Sequence, residues 1–210
     1  MTLDHATRDA LAARLDDAQQ RAEAAEQLSA GIAFGIDDAY AVQHALVARR
    51  LVRGERVVGL KLGFTSRAKA VQMGVDDLII GSLTDGMRIA DGDAFDPAAG
   101  IHPRIEPEVA YLRSPDHPGR IVAVAPALEI IDSRYRDFRF DLGDVVADNT
   151  SACAFVIGGW RDPVEVGPLG NRAVRLEIDG RVVQTGSTAA ILGDPGRALA
   201  AADRMAATHG

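Results

Sequence analysis

One cysteine, Cys153, is the only thiol in 210 residues. No internal disulfide can form, which points to a reducing compartment, the cytoplasm. Basic charge is scarce as well: 23 Lys and Arg face 30 Asp and Glu, a net charge of -7, with no long block of like charge. Nucleic acid and anionic membrane surfaces demand a basic footprint, so neither is expected as a partner. Long apolar runs are also missing. The longest, "IVAVAPALEII", is too short to span a bilayer and contains a proline. The opening stretch "MTLDHATRDALAARLDD" is charged throughout and has no apolar centre, so no signal peptide is expected. The glycosylation pattern "NTS" at Asn149 would meet no machinery in a cytoplasmic chain. There is no GxSxG elbow, GxGxxG, Walker loop, HExxH or paired CxxC, and the five histidines show no zinc-like spacing. Internal repeats, low-complexity linkers and regular β-α alternation are absent too.

What is present is 47% hydrophobic residues, enough for one well-buried core, arranged with two periods. The first fifty residues read as helical. Leu11, Leu15, Ala18, Ala22, Ala25 and Leu28 recur at spacings of three and four and give one apolar stripe. "GIAFGI" interrupts, and Asp37 can cap a second helix through "DAYAVQHALVARRLV", ended by Gly54. From "RVVGLKLGF" the period becomes two. A short helix fits "SRAKAVQMG", strands fit 104–112, 124–131 and 151–158, and Asp179-Gly180 is a type I′ hairpin signal. "DPGRALAAADRMAATHG" reads as a terminal helix. The expected fold class is α+β: a helical segment, residues 1–54, leading into a mainly β core, residues 55–210, as a single globular unit.

Three features carry chemistry. In "HPRIEPEVAY" the side chains of Arg104, Glu106 and Glu108 share one strand face. Two like charges there mean either a solvated face of an edge strand, where Pro107 is tolerated, or a site for a hard divalent cation. Glu129 stands alone in "VAVAPALEIIDS". A carboxylate in such an apolar run must be neutralised, paired or metal-bound, and Arg134 is the nearby pairing alternative. Three carboxylates would leave part of an octahedral shell for water and a chelating substrate. Lys61, in "VVGLKLGF", lies between Gly59 and Gly63 on one face. The glycines leave space on either side, as a small pocket would require. The plainer alternative is a surface lysine with its head in water.

These stretches, "GLKLGFTSRAKAVQMGVDDLIIGSLTDGM", "IHPRIEPEVAYL" and "PALEIIDSRYRDFRFDLGDVVADNTSACAFVIGG", resemble the hydratase/decarboxylase branch of the fumarylacetoacetate hydrolase superfamily. The resemblance runs from about residue 36 to about residue 200. It implies mixed, mainly β sheets rolled around a site, with Mg²⁺ or Mn²⁺ held by Glu106, Glu108 and Glu129. Lys61 would be catalytic, and Arg104, Ile79, Ile80 and Ser187 would face a small 2-oxo acid. The branch contains 2-oxopent-4-enoate hydratases and 2-oxo-3-hexenedioate (4-oxalocrotonate) decarboxylases of the meta-cleavage breakdown of aromatics. Hydratases usually carry an acid where this sequence has Ile79, so the resemblance favours the decarboxylase. It also implies self-association and a complex with the hydratase acting next. Family members usually continue for about fifty residues past the position of "MAATHG", and Asp194 stands where they commonly have histidine. A C-terminally short, non-catalytic partner subunit is the alternative that those departures imply.

Overall fold

Asp4 starts the first helix, α1 (His5–Arg21), by accepting a hydrogen bond from the Thr7 N–H. The computed structural model describes residues 2–66 and 78–210. α1 stops at Arg21 because Ala22 turns left-handed (φ 52°) and closes the helix onto the Ala18 and Gln19 carbonyls. The expected stripe therefore ends before Ala25 and Leu28. Leu28 still reaches the core, from the following loop. α2 (Ile36–Val52) has Gly35, not Asp37, at its cap position. Asp37 and Asp38 occupy its first turn, where negative charge opposes the partial positive charge of the helix end. α2 buries Ala39, Tyr40, Val42, Gln43, Leu46 and Val47 because it packs against α1, a later helix and a strand.

Among the described residues the strands form three sheets. β1 (Val57–Gly63) pairs antiparallel with β2 (Ile79–Thr84). The central sheet has the order β3-β6-β5-β4, built from β3 (Arg88–Ile89), β4 (Arg104–Arg113), β5 (Ile121–Ile131) and β6 (Ala152–Ile157). β7 (Ala173–Ile178) and β8 (Arg181–Ser187) make a separate hairpin. Asp179 and Gly180 at its tip have φ of 52° and 71°, both positive as a type I′ turn requires. Between and after the strands lie α3 (Leu142–Ala147), α4 (Pro163–Val166) and α5 (Pro195–His209). α3 begins at a capping box between Asp141 and Asp144. β3, α3 and α4 have no counterpart in the sequence reading, since two to six residues are too few for a period to emerge. The helix expected over "SRAKAVQMG" lies outside the described residues.

One core joins these parts. Leu15 of α1, Tyr40 and Leu46 of α2, Ile79 and Ile80 of β2, Tyr135, Val146 of α3 and Met205 of α5 pack together. Met87 and two residues of β6, Ala152 and Phe155, form a smaller cluster. The result is a mixed α+β fold with several sheets. Among the described residues, no helix is long and apolar enough to cross a membrane.

Candidate metal centre

Antiparallel register sets Glu106 of β4 directly opposite Glu129 of β5, with Glu108 opposite Ala127 on the same face. One carboxylate oxygen from each of the three glutamates lies within 4.8 Å of the others. β4 lies at one edge of its sheet, which accommodates Pro107. Yet the carboxylates are not simply washed by solvent: Glu106 and Glu108 are half-buried and Glu129 is buried. Like charges no farther apart than that repel by at least about 3 kcal/mol per pair at an effective dielectric near 20. The arrangement therefore calls for positive charge, and among the described residues only oxygen donors converge. That donor set fits a hard divalent cation such as Mg²⁺ or Mn²⁺ rather than a metal preferring nitrogen or sulfur.

Lys61 supplies part of the compensation. Its Nζ lies 2.8 Å from Glu129 Oε1, with each side chain only 7% exposed, and donates to the Thr150 carbonyl at 2.8 Å. Arg134, the alternative partner for Glu129 in the sequence, pairs instead with Asp148. The space expected beside Lys61 exists on one side only. A Cβ at Gly59 would meet nothing, whereas one at Gly63 would lie 2.7 Å from both Ile79 Cγ1 and Thr150 Cγ2.

The remaining candidates divide. Lys61 pairs with Gly81 and Gly63 with Ile79 across β1 and β2, so Ile79 shares the lysine's face. Ile80 alternates to the other face, and its carbonyl accepts from Gln43 Nε2 and Thr150 Oγ1. Arg104 is exposed, its guanidinium carbon 3.7 Å above the Phe138 ring. His102 lies tilted against that same ring, with centroids 4.4 Å apart, and bonds to the Ser133 carbonyl at 2.7 Å. The Ser187 hydroxyl donates to Asn171 Oδ1 and accepts from the Ala189 N–H, which places its contacts at the base of the β7–β8 hairpin.

Two buried residues, Asp132 and Asp148, escaped the sequence reading, and Arg134 links them. Asp132 accepts from the backbone N–H groups of Ile101 and His102, both at 2.8 Å, and so fixes the entry to β4. Arg134 bonds the Asp132, Asp148 and Ala152 carbonyls and lies 3.2 Å from Asp148 Oδ1. Burial pushes the Asp148 carboxyl up to about 7, against the pull of Arg134. The signal available was the run of charges in "EIIDSRYRD" directly after an apolar strand.

The chain is 49% identical over 209 residues to a 4-oxalocrotonate decarboxylase of Pseudomonas sp., covering 95% of this chain and 81% of that protein. It superposes on the 4-oxalocrotonate decarboxylase of Pseudomonas putida G7, complexed with magnesium and adipate, with a TM-score of 0.86 and 38% identity, covering 97% of this chain and 83% of the other. The chain belongs to the hydratase/decarboxylase branch of the fumarylacetoacetate hydrolase superfamily. The hydratase side of the family is represented by a 2-hydroxypent-2,4-dienoate hydratase of Pseudomonas putida, 34% identical over 187 residues, covering 84% of each chain. No family model matches the sequence.

Proposed function

We propose that this chain is a divalent-metal-dependent decarboxylase that converts a 2-oxo-enedioate of the 4-oxalocrotonate type to 2-hydroxypenta-2,4-dienoate in aromatic meta-cleavage catabolism. The observation that carries the reading is the convergence of Glu106, Glu108 and Glu129 within 4.8 Å beside the buried ammonium of Lys61. Glu106, Glu108 and Glu129 would hold Mg²⁺ or Mn²⁺, which supplies Lewis-acid stabilisation of charge building on the 2-oxo oxygen as the distal carboxylate leaves as CO₂.

The protein's own groups do the rest. Glu129 pairs with Lys61 and directs it at the centre, and the lysine presents its positive charge to the enolate oxygen formed when the carbon–carbon bond breaks. Arg104, whose position Phe138 fixes by stacking, offers its guanidinium to a substrate carboxylate. Ile79, buried on the lysine's face, keeps an apolar wall where the resemblance places an acid in hydratases, which excludes the water that hydration needs. Ile80 contributes through its backbone and core packing, and Ser187 from the base of the β7–β8 hairpin. The sheets form a fumarylacetoacetate-hydrolase-type core over residues 55–210, with residues 1–54 packed onto it through the shared core. Exposed Val57, Val58 and Leu60 on β1 and Ile105 on β4 support self-association, with the hydratase that consumes the product as a second partner.

The test is incubation of purified protein with 2-oxo-3-hexenedioate and Mg²⁺, following CO₂ release and loss of dienone absorbance. CO₂ release abolished by EDTA is the expected result. Turnover of 2-hydroxypenta-2,4-dienoate alone would assign a hydratase. Metal binding without either activity would assign a non-catalytic partner subunit.

A further inference from the structure

Between α3 and β6 the backbone does something L-residues seldom do. Asn149, Thr150 and Ser151 lie consecutively in the left-handed region, with φ of 49°, 54° and 57°, and none is a glycine. Single left-handed residues are ordinary in turns, whereas three non-glycine residues in succession persist only where surrounding contacts over-determine them. Those contacts are present. The Asn149 side-chain amide embraces one residue of β2: its Oδ1 accepts from the Ser82 N–H at 2.7 Å and its Nδ2 donates to the Ser82 carbonyl at 2.9 Å. It thus takes the place of a neighbouring strand on the side of β2 away from β1. Gly81 lets the two backbones approach, since a Cβ there would lie 2.7 Å from the Asn149 carbonyl oxygen. Thr150 Oγ1 adds a bond to the Ile80 carbonyl at 2.9 Å.

The product of this arrangement is the direction of one carbonyl. The Thr150 oxygen sits 2.8 Å from Lys61 Nζ, and Lys61 is itself paired across β1 and β2 with Gly81. The strained turn and the lysine therefore grip the same short stretch of β2 from its two sides.

We propose that Asn149 is a positioning residue for the reaction: its amide, clamped on Ser82, holds the left-handed turn so that the Thr150 carbonyl and Glu129 together fix the Lys61 ammonium at the metal centre. The inference rests on the reading of Lys61 as the cation that faces the substrate. Loss of the clamp lets the turn relax toward ordinary backbone angles, withdraws the Thr150 carbonyl and leaves Lys61 tied by one partner. The lysine then samples several orientations, and the chemical step slows while the metal ligands stay in place.

Two variants test this. Asn149→Asp keeps the acceptor for the Ser82 N–H but sets an oxygen against the Ser82 carbonyl. Asn149→Gly relieves the left-handed strain and removes the amide altogether, so it folds even where the first variant does not. The readout that needs no turnover is the ¹H–¹⁵N signal of the Lys61 ammonium, visible when a buried, doubly held group exchanges slowly with water. That signal is expected in the wild type and lost in both variants. In parallel, kcat should fall about tenfold or more, with KM and Mg²⁺ affinity changed by less than about threefold. A Lys61 signal that survives in either folded variant would overturn the proposal. So would an unchanged kcat, or a loss of KM and metal affinity in proportion to kcat, which marks general damage to the fold. A wild type that holds its lysine signal yet releases no CO₂ would sink the functional reading and leave the clamp standing.

Discussion

Replacing Lys61 by methionine removes the cation beside Glu129 while keeping the bulk of the aliphatic stem. Both side chains are 7% exposed, so water cannot solvate the carboxylate left behind. Removing one partner of a buried pair costs about 3–5 kcal/mol. For a chain of this length each kcal/mol moves Tm by about 2–4 °C, so the variant should melt about 6–20 °C below the wild type in EDTA. A divalent cation on Glu106, Glu108 and Glu129 returns positive charge to the same carboxylate. If it makes good a third to a half of the loss, about 1–2 kcal/mol, the gap narrows by about 2–8 °C in saturating Mg²⁺. By linkage the variant then binds Mg²⁺ about 5–30-fold more tightly than the wild type, while decarboxylation is abolished. Thermal melts across a Mg²⁺ titration, with calorimetric binding as a second measure, read both numbers. An equal Tm gap with and without Mg²⁺, or weaker metal binding by the variant, would refute the idea that Lys61 and the cation share Glu129.

Three other changes should separate the parts of the centre. Glu108→Gln leaves the fold intact but removes one of three charges, so Mg²⁺ binding measured by calorimetry should weaken tenfold or more, by about 1.4 kcal/mol at least. Gly81→Ala drives a Cβ against the Asn149 carbonyl, a backbone atom that cannot swing away; a loss of about 1–3 kcal/mol is expected in urea unfolding. The carboxyl of Asp148, raised by burial from 3.8 to about 7, makes the folded chain bind more protons than the unfolded one between those values. Its contribution to stability is complete below about pH 4 and declines as pH rises through about 7, by at most about 1.4 kcal/mol per pH unit. Subtracting the melting profile of Asp148→Asn from that of the wild type should isolate this falling curve, and a flat difference between pH 4 and 7 would contradict it.

The convergence of the three carboxylates was legible because its signals are chemical. Two glutamates at a spacing of two share a strand face whatever the tertiary structure, and a glutamate inside "VAVAPALEII" advertises a partner. The identity of that partner was not legible. Glu129 could have met Arg134, five residues along the chain, but β1 brings Lys61 to it instead, a pairing set by sheet packing rather than by proximity in sequence. The end of α1 was misjudged for a similar reason: the apolar spacing continues through Leu28, while the chain reverses at Ala22 and delivers Leu28 to the same core from a loop. The left-handed turn at 149–151 was invisible because left-handed backbone is normally announced by glycine, and here hydrogen bonds to β2 impose it on Asn, Thr and Ser. The side to which Ile80 points follows from the register of β1 with β2, which alternation alone does not number.

The carboxylate of Asp132, tied to Ile101 and His102, has a consequence for what variation this family member can tolerate. It fixes where β4 begins relative to the end of β5, and every side chain on β4 takes its direction from that starting point. Deleting or inserting one residue between Ile101 and Arg104 would turn Glu106 and Glu108 to the far side of the sheet while leaving Glu129 behind. The carboxylate cluster would vanish although no glutamate had been replaced. Substitutions in this segment can drift, but its length cannot.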